Sequence, residues 1–248
     1  TTRPGRACDR AGTSEGINLC SAAEIKDSRL LCMPHIIRPW TNVSGSVSTS
    51  GKALEWFRCA AYQGEVGYEE LLVEAARVEA GAKGLLFLPY LAGERAPLWD
   101  ASARGAFVGL TLAHGRPEML RAVFEATALA VRDVLEVMEE AGAPVEELRV
   151  TGKPGSSEVW NRIKADVTGL PLRVPRFGES ELLGGACMGF AALGRYGSLA
   201  EAAEDLVALG PPIEPDPASK GRYDELFGIY RESYRALKPL FPRLANLP

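Results

Sequence analysis

Two short stretches of this 248-residue sequence could gather backbone donors around an anion. In Gly12-Thr13-Ser14, glycine admits a tight turn, and consecutive amides and hydroxyls can face one point, forming a concavity suited to phosphate. In Thr151-Gly152-Lys153-Pro154-Gly155-Ser156-Ser157-Glu158, strand-like residues, a glycine loop and a helix start follow one another. Unpaired N–H groups and the positive end of a helix dipole could there meet phosphate or ribose oxygens. Each stretch also has an ordinary reading: the first as a hairpin turn, the second as a strand-to-helix joint capped by Ser156 or Ser157. No G-x-G-x-x-G follows a strand and no G-x-x-x-x-G-K-[ST] occurs, so dinucleotide and Walker-type loops are not supported.

Gly12-Thr13-Ser14-Glu15-Gly16 is also a literal G-x-S-x-G, the pattern of a hydrolase nucleophile elbow. An elbow needs a strand before it, a helix after it and a downstream histidine. Here RPGRACDRA precedes and strand-like residues follow. The two histidines, His35 and His114, lie in turn-like stretches and read as loop residues without an acidic partner. Glu69-Glu70 and Glu139-Glu140 read as solvated helix faces, while Glu179 and Glu181 are slightly better placed to meet a ligand. Asp9, between Cys8 and Arg10, reads as a salt-bridged turn residue. Cys8, Cys20, Cys32, Cys59 and Cys187 are odd in number and form no C-x-x-C pair, which argues against a disulfide framework or a zinc site.

The elements needed to hold these stretches can be read from apolar spacing. Residues 15–20 and 43–49 predict short strands, 51–59 a short helix, and 68–80 a clearer one ending near Gly81. The apolar run at 84–90 suits a strand buried on both faces. Pro117 and Glu118 open a long helix whose apolar residues repeat from Leu120 to Met138 and which stops by Gly142. A strand at 147–151 leads into the second stretch, then a helix bearing Trp160, Ile163 and Val167, closed by Gly169, then a strand at 171–175. Residues 182–194 are rich in Gly and Ala, as expected of a helix pressed against a neighbour. A final helix places Tyr223, Leu226, Phe227, Tyr230 and Leu237 on one stripe. Early strands followed by alternating helices and strands predict an α/β architecture, a mixed sheet with helices packed on it.

Composition narrows the partners. With 46% hydrophobic residues and a net charge of −4, the chain can bury a large core and offers no basic surface for nucleic acid or an anionic membrane. No apolar stretch has the length of a membrane span and the N-terminus lacks a signal-peptide core, so a cytoplasmic location is expected. A start on Thr-Thr-Arg-Pro-Gly suggests a processed or cut polypeptide.

Residues 91–125 narrow the function. They contain Gly-Glu-Arg-Ala-Pro-Leu-Trp-Asp, then Gly105-Ala106-Phe107-Val108-Gly109-Leu110, seven residues, Glu118-Met119, two residues, and Ala122-Val123-Phe124-Glu125. This resembles the C-terminal signature of the FGGY family of carbohydrate kinases, and the xylulokinases within it in particular. The Gly-Thr-Ser turn and TGKPGSSEVWNRIKADVTGLPL are similar to that family's phosphate turn and nucleotide loop. The resemblance implies an actin-like ATPase, ribonuclease H-like domain in residues 1–248, the nucleotide-side half of a kinase whose N-terminal sugar-binding, catalytic domain is absent from the chain. It further implies ATP and Mg²⁺ as cofactors and a small sugar as acceptor, with Gly12, Thr13, Ser14, Gly109, Gly152, Lys153, Gly155 and Glu158 as nucleotide-binding residues and none as the catalytic base. The missing domain is the partner implied, and the face left exposed without it predicts a partner or self-association, a homodimer being one form.

One departure opens a second reading. The family usually has Thr-Gly-Gly-Gly where this chain has Thr151-Gly152-Lys153-Pro154, and proline fixes φ and deletes a donor. Lys153 could compensate with a cation for phosphate; alternatively, the chain is a degenerate, non-catalytic kinase domain that acts as a protein-interaction module.

Overall fold

The computed structural model describes residues 1–247. A hairpin begins the chain, β1 (Arg6–Ala11) turning through Gly12–Ser14 into β2 (Glu15–Ser21), followed by β3 (Leu31–Pro34) and β4 (Thr41–Val47). Helices α1 (Gly51–Tyr62) and α2 (Tyr68–Ala76) lead to a two-stranded ribbon, β5 (Leu86–Leu88) with β6 (Ala106–Val108). Then come α3 (Arg116–Glu140), β7 (Glu147–Thr151), α4 (Glu158–Thr168), β8 (Leu172–Arg173), α5 (Ser180–Ala192), α6 (Leu199–Leu206), α7 (Lys220–Leu237) and α8 (Phe241–Ala245). The main sheet has six strands in the order β3-β4-β2-β1-β7-β8. The β3, β4, β2 and β1 pairings are antiparallel, whereas β7 and β8 run parallel to β1.

Helix α3 organises the core. Its start is fixed by Pro117 in the first turn and by the Glu118 carboxylate, which accepts from the Gly115 amide at 2.9 Å. From Leu120 to Met138 nearly every residue is buried, because the helix packs on β4 and β2 of the sheet and is flanked by α4, α2, α1 and β5. The close seat requires a glycine in the sheet. At Gly45 of β4, a Cβ would strike the side chain of Val134.

Several elements differ from expectation for identifiable reasons. The stretch before Gly12 is strand β1, hidden in the sequence because Arg6, Asp9 and Arg10 interrupt its apolar residues. Asp9 therefore stands in a strand, not a turn, although the salt bridge expected of it is present. The helix from Tyr68 stops at Ala76, and the chain continues through turns to Gly81, whose φ is +83°. Helix α5 is not enclosed: only Cys187 is buried, and Leu182, Met188, Phe190 and Leu193 are exposed. Within this chain its main neighbour is α6.

Candidate functional site

The parallel pairing of β1 with β7 brings the two anion-binding candidates together. Arg10 stands opposite Thr151, so both strands end at the same level, and their following loops emerge side by side at the carboxyl ends of parallel strands. Contact is close at Gly152. Its φ is +84°, and a Cβ there would collide with the Ala11 carbonyl oxygen, so only glycine fits.

The Gly12–Ser14 turn is oriented by the start of α1. Thr13 O accepts from Ser50 N and Lys52 N, both at 3.1 Å, and Gly12 O accepts from Gly51 N at 2.9 Å. Those bonds satisfy helix donors that would otherwise lack partners and point the turn's carbonyls away from its open side. Among the described residues, the amides of Gly12, Thr13 and Ser14 have no protein acceptor, and the Thr13 and Ser14 hydroxyls make no hydrogen bond. With Thr13 exposed, this set of donors is free to meet an anion.

The second loop accommodates both the lysine and the proline. Pro154 opens a short 3-10 turn, where its missing N–H costs no internal bond, and Lys153 has a helical φ of −60°. Buried Gly155 is tied to the helix through its carbonyl, which accepts from Asn161 Nδ2 at 2.6 Å. Ser157 is the N-cap of α4, its hydroxyl accepting from Trp160 N at 3.3 Å. Capping thus accounts for one serine. It leaves the amides of Gly152, Lys153 and Gly155 without protein acceptors among the described residues, and Lys153 and Glu158 exposed.

A buried ionic cluster lies beneath both loops. Lys164 of α4 donates to Asp9 of β1 and, at 3.1 Å, to Glu15 at the start of β2; the three side chains are 2%, 0% and 0% exposed. Ser50 Oγ also donates to Glu15 Oε1, at 2.8 Å. Among the described residues, Asp9 Oδ1 and Glu15 Oε2 have no hydrogen-bond partner. Burial pushes the Glu15 carboxyl up to about 7, with the Asp9 charge adding to the shift and Lys164 opposing it. Burial also works against the Lys164 charge, but the two carboxylates outweigh it and raise that group above its ordinary value.

The structure therefore gathers Gly12, Thr13, Ser14, Gly152, Lys153, Gly155 and Glu158 on two adjoining loops. Gly109 stands apart on the ribbon beyond β6, with φ +90° and a Cβ position 2.8 Å from Gly84 O; among the described residues no hydrogen bond ties it to the turn. Sequence reasoning missed Glu15, Ser50 and Lys164. One signal was available: Lys164 occupies the buried stripe of Trp160, Ile163 and Val167, where an ammonium needs a carboxylate. The hydrolase reading fails here. A strand does precede Gly12, but strand β2 follows it, His35 bonds Thr1 O and Ile37 N, and His114 bonds Thr111.

Comparison with known proteins gives the same architecture a family. The model for "FGGY family of carbohydrate kinases, C-terminal domain" matches residues 10–193. A xylulose kinase of Staphylococcus epidermidis is 28% identical over 221 residues, and a gluconokinase of Bacillus licheniformis 32% identical over 228, covering 89% and 88% of this chain. The chain spans 44% of the length of each of these relatives. The crystal structure of xylulose kinase from Rhodospirillum rubrum superposes with a TM-score of 0.88 at 32% identity, covering 97% of this chain and 49% of that one. Its likeness carries the expected actin-like α/β fold. The motif between Gly105 and Glu125 and these matches agree, and the chain belongs to the FGGY family of carbohydrate kinases.

Proposed function

We propose that this chain is the nucleotide-side half of an ATP-dependent sugar kinase of xylulokinase type, working with an N-terminal half that binds the sugar and supplies the base. The observation that supports this most is the pair of adjoining loops with free donors, the Gly12–Ser14 turn and the Gly152–Ser157 loop. On this reading the amides and hydroxyls of Thr13 and Ser14 hold the terminal phosphates as charge redistributes among their oxygens. The Gly152–Glu158 loop receives the nucleoside, Lys153 contributes a cation to phosphate, and Gly109 admits backbone close to the nucleotide. Phosphoryl transfer asks little covalent chemistry of the protein, so such positioning and charge stabilisation supply most of the catalysis. Closure of the two halves would exclude water and limit wasteful hydrolysis.

Asp9 is not offered as the base. It is sealed in the interior on Lys164, out of reach of a sugar hydroxyl. Among the described residues no three His, Cys, Asp or Glu side chains group where they could hold a metal ion. Magnesium on this reading comes with the nucleotide phosphates, whose charge it offsets.

Xylulose kinases recur among the relatives, beside gluconokinases, and a xylulose-like ketose is the acceptor we favour. The test is ADP release by these residues joined to a family N-terminal half, with D-xylulose, gluconate or glycerol as acceptor. D-xylulose should give the highest kcat/KM. ADP release indifferent to every sugar would count against the reading. The non-catalytic alternative draws on Lys153-Pro154, whereas the positive φ of Gly152 and the buried seat of Gly155 support the nucleotide reading.

A further inference from the structure

The fully buried Lys164 makes contacts that the proposed chemistry does not use. Asp9 lies three residues before Gly12, Glu15 directly follows Ser14, and Lys164 sits on the helix that the Gly152–Ser157 loop opens into. One ammonium therefore grips both strands of the phosphate turn and belongs to the element that carries the nucleotide loop. Ser50, from the residue preceding α1, adds a hydroxyl to the same Glu15 oxygen whose neighbouring turn it also holds through Thr13 O. A merely packed interior would have filled this place with apolar side chains, since a buried ion pair is often no more stable than its hydrophobic replacement. Directional bonds fix relative position where apolar packing does not.

We propose that Lys164 is a positioning residue which, through Asp9 and Glu15, locks the Gly12–Ser14 turn and the Gly152–Ser157 loop into a single rigid unit, so that phosphate and nucleoside contacts are set together. The proposal rests on the reading of those two loops as one nucleotide site. It goes further in assigning their alignment to a residue that touches neither ligand. The charged groups facing Lys164 are Asp9 from β1 and Glu15 from β2, and the α1 side contributes only the Ser50 hydroxyl.

Amide hydrogen exchange on the 248-residue chain tests it without nucleotide. In Lys164→Met, exchange should quicken about tenfold or more at the ladder residues flanking the turn, Ala11, Glu15 and Gly16, and at Ser156 and Ser157, whose amides bond Lys153 O and Pro154 O, beyond any rise in the second half of α3. Because that variant leaves two buried carboxylates and could fail to fold, Asp9→Asn/Lys164→Met is measured beside it. Removing one carboxylate with the ammonium should restore much of the unfolding midpoint while both loops still exchange fast. A purely structural role predicts that loop protection recovers along with stability. That recovery, or acceleration of one loop without the other, would overturn the proposal. A separate titration of the wild-type chain with Mg-ADP judges the nucleotide reading itself: absent binding with coupled loops would sink that reading and leave the mechanical link standing.

Discussion

Gly152 is where geometry constrains the site most tightly, since its positive φ and the Ala11 carbonyl leave no room for a side chain. Lys153 is constrained much less. If its ammonium meets a phosphate, Lys153→Ala should weaken Mg-ADP binding by about 1.5 kcal/mol, roughly tenfold, in a calorimetric titration, with the unfolding midpoint unchanged. Glu15 offers a pH signature. Its carboxyl rises from an ordinary 4.5 to about 7 in the folded protein, so the native state holds this proton more tightly than the unfolded chain does. Its contribution to stability is therefore greatest below pH 4.5 and declines as pH climbs from 4.5 to about 7. Asp133, pushed by burial from 3.8 to about 6, acts with the same sign. Urea unfolding at pH 5 and pH 8 should find the wild type weaker at pH 8, and Glu15→Gln should shrink the difference; an undiminished difference would count against this assignment.

Between elements, the α3–β4 seat is the most exacting contact. Gly45→Ala should destabilise the fold by about 1–3 kcal/mol through overpacking against Val134, and Gly45→Ala/Val134→Ala should recover part of that loss in chemical denaturation. At the Gly152–Ser157 loop, Ser157→Ala should cost about 1 kcal/mol through the lost cap. Helix α3 and the joint from β7 to α4 were legible in the sequence because apolar periodicity, Pro117, Ser157 and Gly169 all agree locally. Strand β1 was not, because its inward Asp9 is satisfied by a lysine far along the chain. Strand β3 was equally hidden, being an exposed edge with no apolar-in, polar-out alternation. The small residues of α5 suggested a helix pressed against a neighbour, whereas here only Cys187 of the helix is buried and α6 is its main neighbour. Of the site, both glycine motifs could be read directly, whereas the cluster beneath them depends on three segments meeting in space.

At the scale of the whole molecule, α5 and the segment before it leave Phe177, Leu182, Phe190 and Leu193 exposed on a chain that spans 44% of its relatives' length. Such an apolar face should drive association. Sedimentation at rising concentration should reveal self-association of the wild type, reduced in Leu182→Glu/Leu193→Lys; a monomer at all concentrations would show that the face is tolerated in water. None of the described helices is long and apolar enough to cross a membrane. On the proposed function, this chain carries a working nucleotide half-site on two adjoining loops. Calorimetric titration with Mg-ADP, on the wild type and on Gly152→Val, tests it most directly. Saturable binding lost in the variant is the predicted result, whereas binding unchanged by Gly152→Val, or no saturable heat from the folded wild type, would contradict it.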